Sequence, residues 1–124
     1  MIALGTDVVD IERFKNWPHY TSKMLERIFS PEEIAYCRAC PKKSAERFAV
    51  RFALKEAFYK ALCTAYPDLT FSSLVVARSA QVLHAPDSLP KIIVDWDRLG
   101  RSPLLIHASL SHAQKIAHAT VVLE

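Results

Sequence analysis

Asp7 is a charged residue in a segment whose other side chains are small or apolar. Residues 2–9 read IALGTDVV, and this alternation predicts a short, largely buried strand. A carboxylate buried without a partner is costly because it loses its contact with water. The sequence therefore predicts a cation, a hydrogen-bond donor or a metal ion beside Asp7.

A second set of charges lies in residues 44–65, which the sequence predicts to be one long helix. The apolar residues of this helix cover almost its whole circumference, so it should be buried on most sides. Arg47, Arg51 and Lys55 recur at intervals of four and so form one cationic stripe. The stripe is either an ordinary solvated face or a surface for phosphate groups.

Glu56 and Lys60 lie on a neighbouring face of the same helix. On helix pattern alone they form an ordinary i,i+4 ion pair, which contributes about 0.3–0.5 kcal/mol at a surface. Asp7 supports a second interpretation, because one strand carboxylate and one helix carboxylate suffice for Mg²⁺. That ion usually keeps several waters and takes further ligands from substrate phosphates. Sequence spacing alone leaves open whether Asp7 and Glu56 meet.

The elements that would position these residues belong to an α+β fold. We predict an N-terminal strand and helices packed on a mainly antiparallel sheet, with one long buried helix, in a single domain over residues 1–124. The remaining predictions are a helix capped by Asp10 through Trp17, a helix from Ser30 to about Cys40, a strand over 74–83, a turn at 86–88, a strand over 91–94, a helical turn at 95–99, and a hairpin of 104–112 with 116–123.

The composition is that of an ordinary globular protein, with 51% hydrophobic and 23% charged residues among 124. The net charge of +3 suits an anionic partner without choosing among nucleic acid, acidic protein and phosphorylated cofactor. We see no apolar run of the roughly 18 residues that a membrane span needs. Three cysteines and no secretory signal lead us to expect reduced thiols and a cytoplasmic location.

Four motifs together resemble the holo-[acyl-carrier-protein] synthases of the 4′-phosphopantetheinyl transferase superfamily. Residues 5–13, GTDVVDIER, are similar to the family's G-x-D-x-x-x-x-x-R element. Residues 51–61, RFALKEAFYKA, resemble its R-F-A-x-K-E-A-x-x-K-A helix. Residues 27–33 and the SLSH sequence at 109–112 match further elements, in the family's order and over essentially the whole chain.

The resemblance implies transfer of the 4′-phosphopantetheine arm of coenzyme A to a serine of apo acyl carrier protein, with release of adenosine 3′,5′-bisphosphate. By position, Asp7 and Glu56 would bind Mg²⁺, and Lys60 would stabilise or protonate the departing oxygen. Glu56, directly or through a metal-bound water, would take the serine proton. Arg51, Lys55 and His112 would contact phosphates or the pantetheine path.

The resemblance also implies two protein partners. Arg13 falls at the position that meets the acidic helix of the carrier protein, and Arg27 would extend the same positive surface. Family members form homotrimers with active sites between protomers, so we expect the same here, with no nucleic acid or membrane partner.

One departure from the family keeps alternatives open. Residues 63–67, CTAYP, stand where most family members have a glycine-containing loop after the long helix. One alternative is a degenerate family member that binds coenzyme A without turnover. Another is a basic module that binds nucleic acid or an acidic protein.

Overall fold

A computed structural model describes residues 2–84 and 90–124. Two short 3₁₀ helices, Ile11–Phe14 and Trp17–His19, follow the first strand, and a third, Pro41–Lys43, precedes the long helix. The α-helices are α1 (Ser22–Leu25), α2 (Pro31–Arg38), α3 (Ser44–Ala65), α4 (Ser73–Ser79) and α5 (Trp96–Leu99). The strands are β1 (Ala3–Asp10), β2 (Ala80–His84), β3 (Pro90–Val94), β4 (Ile106–His112) and β5 (Ile116–Leu123).

The strands form two antiparallel sheets. The larger has the order β1-β5-β4, so the first strand pairs with the last, and Asp7 lies opposite Ala119. The smaller is the hairpin of β2 and β3. Helices packed on antiparallel strands confirm the α+β class and the long buried helix.

Helix α3 lies across one face of the larger sheet and contacts both β1 and β5. This approach is close at Gly5, where an added Cβ would sit 2.0 Å from the carbonyl oxygen of Ala57 and 2.6 Å from the amide nitrogen of Ala61. Only a residue without a Cβ fits between the two backbones. Gly5 therefore sets the separation of β1 from α3 two residues before Asp7.

The side of α3 away from this sheet is covered by aromatic rings. Phe14, Phe29 and Phe48 are fully buried, and Trp17 lies among them, with ring centroids 4.5 Å from Phe14 and 6.3 Å from Phe48. Phe52 completes the cluster at 5.4 Å from Phe14. The cluster anchors the N-terminal segment on α3, and with it the residues that follow β1.

Two local predictions were wrong, one short helix was missed, and one prediction lies outside the described residues. The strand predicted over 74–83 is α4 followed by β2, because the Ser72 side chain accepts from the Val75 amide and starts a helix. The helix predicted after Asp10 is two 3₁₀ turns, and Asp10 makes no capping side-chain bond. The short helix α1 was not predicted. The turn predicted at 86–88 falls outside the part of the chain that the structure describes.

Candidate active site

Asp7 lies near the end of β1, on the face that packs against α3. Its Oδ1 accepts a hydrogen bond from Nζ of Lys60 at 3.2 Å, and the same ammonium donates to the Thr6 carbonyl at 2.9 Å. Its Oδ2 is buried and has no hydrogen-bond partner among the described residues. One oxygen of this carboxylate is thus paired, and the other lacks a donor among the described residues.

Glu56 lies on α3 beside Asp7, half-buried. Burial raises the pKa of Glu56, and the nearby Asp7 carboxylate raises it further, whereas Lys60 and Arg13 act in the opposite direction. The structure therefore brings the two carboxylates near enough for one charge to act on the other. Among the residues that the structure describes, Lys60 of α3 forms its ion pair with Asp7 of β1. Within this part of the chain it does not pair with Glu56, which lies one turn earlier on the same helix.

This pair of carboxylates fits Mg²⁺ by its chemistry. A buried carboxylate oxygen without a donor is unfavourable on its own and becomes favourable as a ligand to a hard cation. Within residues 2–84 and 90–124 no set of three or more acidic, histidine or cysteine side chains could hold a metal. A site of two carboxylates therefore leaves most of the coordination shell to water and substrate oxygens.

Arg13 lies against the aromatic cluster close to this pair. Its guanidinium is 4.9 Å from the ring centroid of Phe52 and 5.5 Å from that of Phe14. The rest of the side chain is exposed and borders a cavity of about 560 Å³ between the first 3₁₀ turn and the β4–β5 turn. Arg13 is thus an exposed cation near enough to Glu56 to lower its pKa.

The predicted cationic stripe is not a solvated face. Arg51 is only 2% exposed, and its guanidinium lies 4.2 Å from the ring centroid of Tyr36, which Arg47 approaches at 4.0 Å. The buried Nε of Arg51 has no hydrogen-bond partner among the described residues. Stacking against one tyrosine holds the two guanidinium planes in place.

Arg51 and His112 line the same cleft. His112, at the end of β4, lies 2.9 Å from Glu46 of α3 through its Nε2. The cleft has a volume of about 150 Å³, and its walls are Tyr36, Lys43, Glu46, Arg47, Val50, Arg51, Leu110 and His112. Four basic or titratable nitrogen groups against one carboxylate make it suited to an anion.

Lys55 does not lie in this cleft. Its side chain is 1% exposed and forms an ion pair with the equally buried Glu33 at 2.8 Å. Burial lowers the pKa of Lys55, and the Glu33 carboxylate counteracts that effect. The structure thus corrects the expectation that Lys55 contacts a phosphate, because its ammonium is enclosed by protein. The spacing of charges along α3 carries no information about this partner, because Glu33 lies on a different helix.

Arg27 is exposed and borders an apolar groove away from the carboxylates. The groove has a volume of about 240 Å³ and is lined by Trp17, Tyr20, Met24, Leu25, Arg27, Ile28 and Leu74. Met24 and Leu74 are 52% and 45% exposed, which is high for large apolar residues. This groove was not predicted, since its walls come from segments far apart in the sequence.

The segment after α3 contacts the guanidinium of Arg101. The guanidinium of Arg101 lies 4.6 Å from the ring centroid of Tyr66 and 3.2 Å from the Asp68 carboxylate. Residues 63–67 contain no glycine, and in this segment Tyr66 stacks against Arg101.

Comparisons with known proteins agree with this geometry. Residues 3–121 match the model of the 4′-phosphopantetheinyl transferase superfamily. The chain is 38% identical over 128 residues to the holo-[acyl-carrier-protein] synthase of Syntrophotalea carbinolica, covering 98% of this chain and 94% of the relative. It is 32% identical to that of Treponema denticola, covering 100% and 98%. A solved Chronobacterium ammoniagenes ACPS–CoA complex superposes with a TM-score of 0.84 at 26% identity, covering 100% of this chain and 97% of that one.

Proposed function

The chain belongs to the 4′-phosphopantetheinyl transferase superfamily, and we propose that it moves the 4′-phosphopantetheine group of coenzyme A onto a serine of apo acyl carrier protein. Adenosine 3′,5′-bisphosphate is the second product. Relatives that span nearly the same length are holo-[acyl-carrier-protein] synthases, and a similar fold has been solved as a complex with coenzyme A. The observation that carries the proposal is the unpartnered Oδ2 of Asp7 beside Glu56 and Lys60.

Asp7 and Glu56 are the residues that would hold Mg²⁺. When bound, the ion supplies positive charge that neutralises the charge developing on the diphosphate during transfer. Lys60 carries a half-exposed ammonium, bound on one side to Asp7 and Thr6, and its remaining donor capacity suits the departing phosphate oxygen. Glu56, half-buried beside Asp7, would take the serine proton.

The cleft of Arg51 and His112 suits the phosphate groups of coenzyme A that do not react. The buried Nε of Arg51 lacks an acceptor among the described residues, and a phosphate oxygen would provide one. Along α3, the five residues from Arg51 to Glu56 rise about 7.5 Å. An extended cofactor can span that distance while its diphosphate reaches the carboxylates.

The groove beside Arg27 suits an amphipathic, acidic helix of the carrier protein. Met24 and Leu74 offer exposed apolar surface, while Arg27 on the groove wall and the exposed Lys23 next to Met24 in the chain supply positive charge. Helix-in-groove recognition uses this combination of apolar anchors and charged rim. The serine would then approach Glu56 past Arg13.

We also propose a homotrimer of single-domain protomers in the cytoplasm. The face of the larger sheet that points away from α3 exposes Leu4 (56%), Val8 (59%) and Ile116 (45%). A contiguous apolar sheet face of this kind favours burial against other copies. Among the described residues, no helix is long and apolar enough to cross a membrane. Sedimentation equilibrium of the purified chain tests the number of protomers.

The transfer itself is tested by incubating the chain with apo carrier protein, coenzyme A and Mg²⁺. The mass of the carrier protein is then measured by mass spectrometry. We expect a mass gain of one phosphopantetheine, lost when Asp7→Ala or Glu56→Ala replaces the enzyme. Asp97→Ala, at an exposed carboxylate on α5, is the matched control and should transfer normally.

A different outcome would favour a degenerate family member. The Arg101–Tyr66 stack occupies the segment after α3 that usually contains glycines, and it could leave coenzyme A bound without turnover. Calorimetry that shows Mg²⁺-dependent coenzyme A binding, together with no mass gain across several carrier proteins, would contradict the transferase proposal.

A further inference from the structure

The Lys55 ammonium is a buried junction between separate parts of the chain. Its Nζ donates to the Glu33 carboxylate at 2.8 Å and to three backbone carbonyls, those of Ile28 at 2.8 Å, Ala77 at 2.9 Å and Ala80 at 2.9 Å. These acceptors lie in the turn before α2, in α4 and at the start of β2. An ammonium has three protons, so all of them are used within the protein.

Glu33 completes the junction from the opposite side. Its Oε1 accepts from the Ser30 amide at 2.8 Å as half of the α2 capping box, and its Oε2 accepts from the Val82 amide of β2 at 3.0 Å. The Val82 amide lies on the β2 edge not paired with β3 in the described sheet. The carboxylate therefore satisfies one helix end and one strand edge while it neutralises Lys55.

A buried ion pair is a poor source of stability, because desolvation of both charges offsets their attraction. Two apolar side chains of similar volume would often hold the core equally well. Apolar side chains would not form directional hydrogen bonds. The ion pair does, and it holds five backbone groups in four segments at hydrogen-bond distance. Its specific contribution is therefore the relative placement of those segments.

Two of the positioned segments carry residues of the proposed function. Lys55 directly precedes Glu56 on α3, and Ile28 directly follows Arg27 and lines the apolar groove. The bond from Lys55 to the Ile28 carbonyl is thus a short rigid path from the metal-binding helix to the carrier-protein groove. Neither Lys55 nor Glu33 lines the cleft of Arg51 and His112, although Glu33 shares a neighbouring cavity with Tyr36 and Arg51 of that cleft.

We propose that the Glu33–Lys55 ion pair is a positioning device that holds the carrier-protein groove at a fixed place relative to Glu56. This inference rests on the proposed function and replaces the cofactor contact that the resemblance implies for Lys55. It assigns Lys55 to carrier recognition and not to coenzyme A. Loss of the pair should therefore affect the two substrates unequally.

The test is the double variant Glu33→Gln/Lys55→Met, which removes both charges and leaves none buried alone. The control is Asp97→Asn/Arg98→Met, which removes one charge of each sign at exposed positions of α5. We expect the double variant to raise the KM for carrier protein about tenfold or more, because a misplacement of about 1 Å costs up to about a hundredfold. The KM for coenzyme A should stay within about twofold, and the control should match the wild type in both.

Hydrogen exchange gives a readout that is independent of turnover. Exchange of the Ser30 and Val82 amides should be about tenfold faster in the double variant, because their acceptor is weakened. Wild-type exchange together with a wild-type KM for carrier protein would overturn the inference. So would an equal rise in both KM values, which would return Lys55 to the cofactor.

Two further measurements cover the cases in which the double variant does not fold or the wild type is inactive. If the double variant does not fold, Glu33→Gln alone is measured in the same way, because it retains one carbonyl acceptor beside Lys55. If the wild-type chain transfers nothing, the proposed function fails, and the exchange rates at Ser30 and Val82 still decide whether the pair holds these segments.

Discussion

Replacement of Gly5 by alanine tests whether the close approach of β1 to α3 builds the site. The new Cβ would lie 2.0 Å from the Ala57 carbonyl oxygen and 2.6 Å from the Ala61 amide nitrogen. Both obstructing atoms are backbone, so no side chain can rotate away. An ordinary contact begins at 3.4 Å, so strand and helix must separate locally by more than 1 Å.

The cost has a structural and a functional part. Overpacking of this kind costs about 1–3 kcal/mol, and we expect the upper end because the helix backbone cannot yield locally. Most domains have a free energy of unfolding of about 5–15 kcal/mol, so the variant should remain folded. Asp7 lies two residues after Gly5, and a displacement of about 1 Å should lower kcat about a hundredfold.

The assay pairs urea unfolding with the rate of carrier-protein mass gain per folded enzyme. Gly100→Ala is a matched control, because Gly100 has φ of +64° and an added Cβ would meet nothing within 4 Å. It should cost about 1–2 kcal/mol through its left-handed backbone and leave kcat unchanged. If Gly5→Ala unfolds within about 0.5 kcal/mol of the wild type and keeps its kcat, the close approach does not position Asp7.

Three further predictions concern charge and thiol chemistry. Mg²⁺ should raise the Tm of the wild type but not that of Asp7→Asn. Differential scanning fluorimetry measures the shift, with calcium-free and chelated samples as controls. Equal shifts in both proteins would argue against Asp7 as a ligand. Without metal, the wild type should lose stability as pH rises through the raised pKa of Glu56, because the folded state there binds more protons than the unfolded state, whose glutamate titrates near 4.5. Glu56→Gln should remove that loss in urea titrations at pH 4 to 8, and an unchanged pH profile would contradict it. Cys37, fully buried with its pKa raised to about 12, should resist iodoacetamide at pH 8 in the native protein while Cys40 and Cys63 react, as peptide mass analysis will show; alkylation of Cys37 before unfolding would refute its burial.

Local signals in the sequence accounted for the elements with clear ends. The helix predicted to begin at Ser30 is α2, and the structure shows the reciprocal bonds of a capping box between Ser30 and Glu33. Residues 44–65 were predicted as one helix and form α3. The hairpin at the C-terminal end was also predicted correctly, because its alternation is regular and its turn is polar.

Predictions that required tertiary information were less successful. The apolar run over 74–83 has no period that separates helix from strand, and only the Ser72 cap distinguished them. The helical wheel placed Lys55 on a cationic face, but it carries no information about what covers that face. A buried lysine is recognisable only once Glu33 and three distant carbonyls are seen around it.

The pairing of β1 with β5 has a consequence for the order in which the chain matures during synthesis. Asp7 emerges from the ribosome more than a hundred residues before its strand neighbour Ala119. A contact of such long range closes slowly, because the intervening chain must be ordered first. The nascent chain therefore lacks the partner strand of β1 until β5 has been made, and the pairing that holds the strand carrying Asp7 forms only after that point.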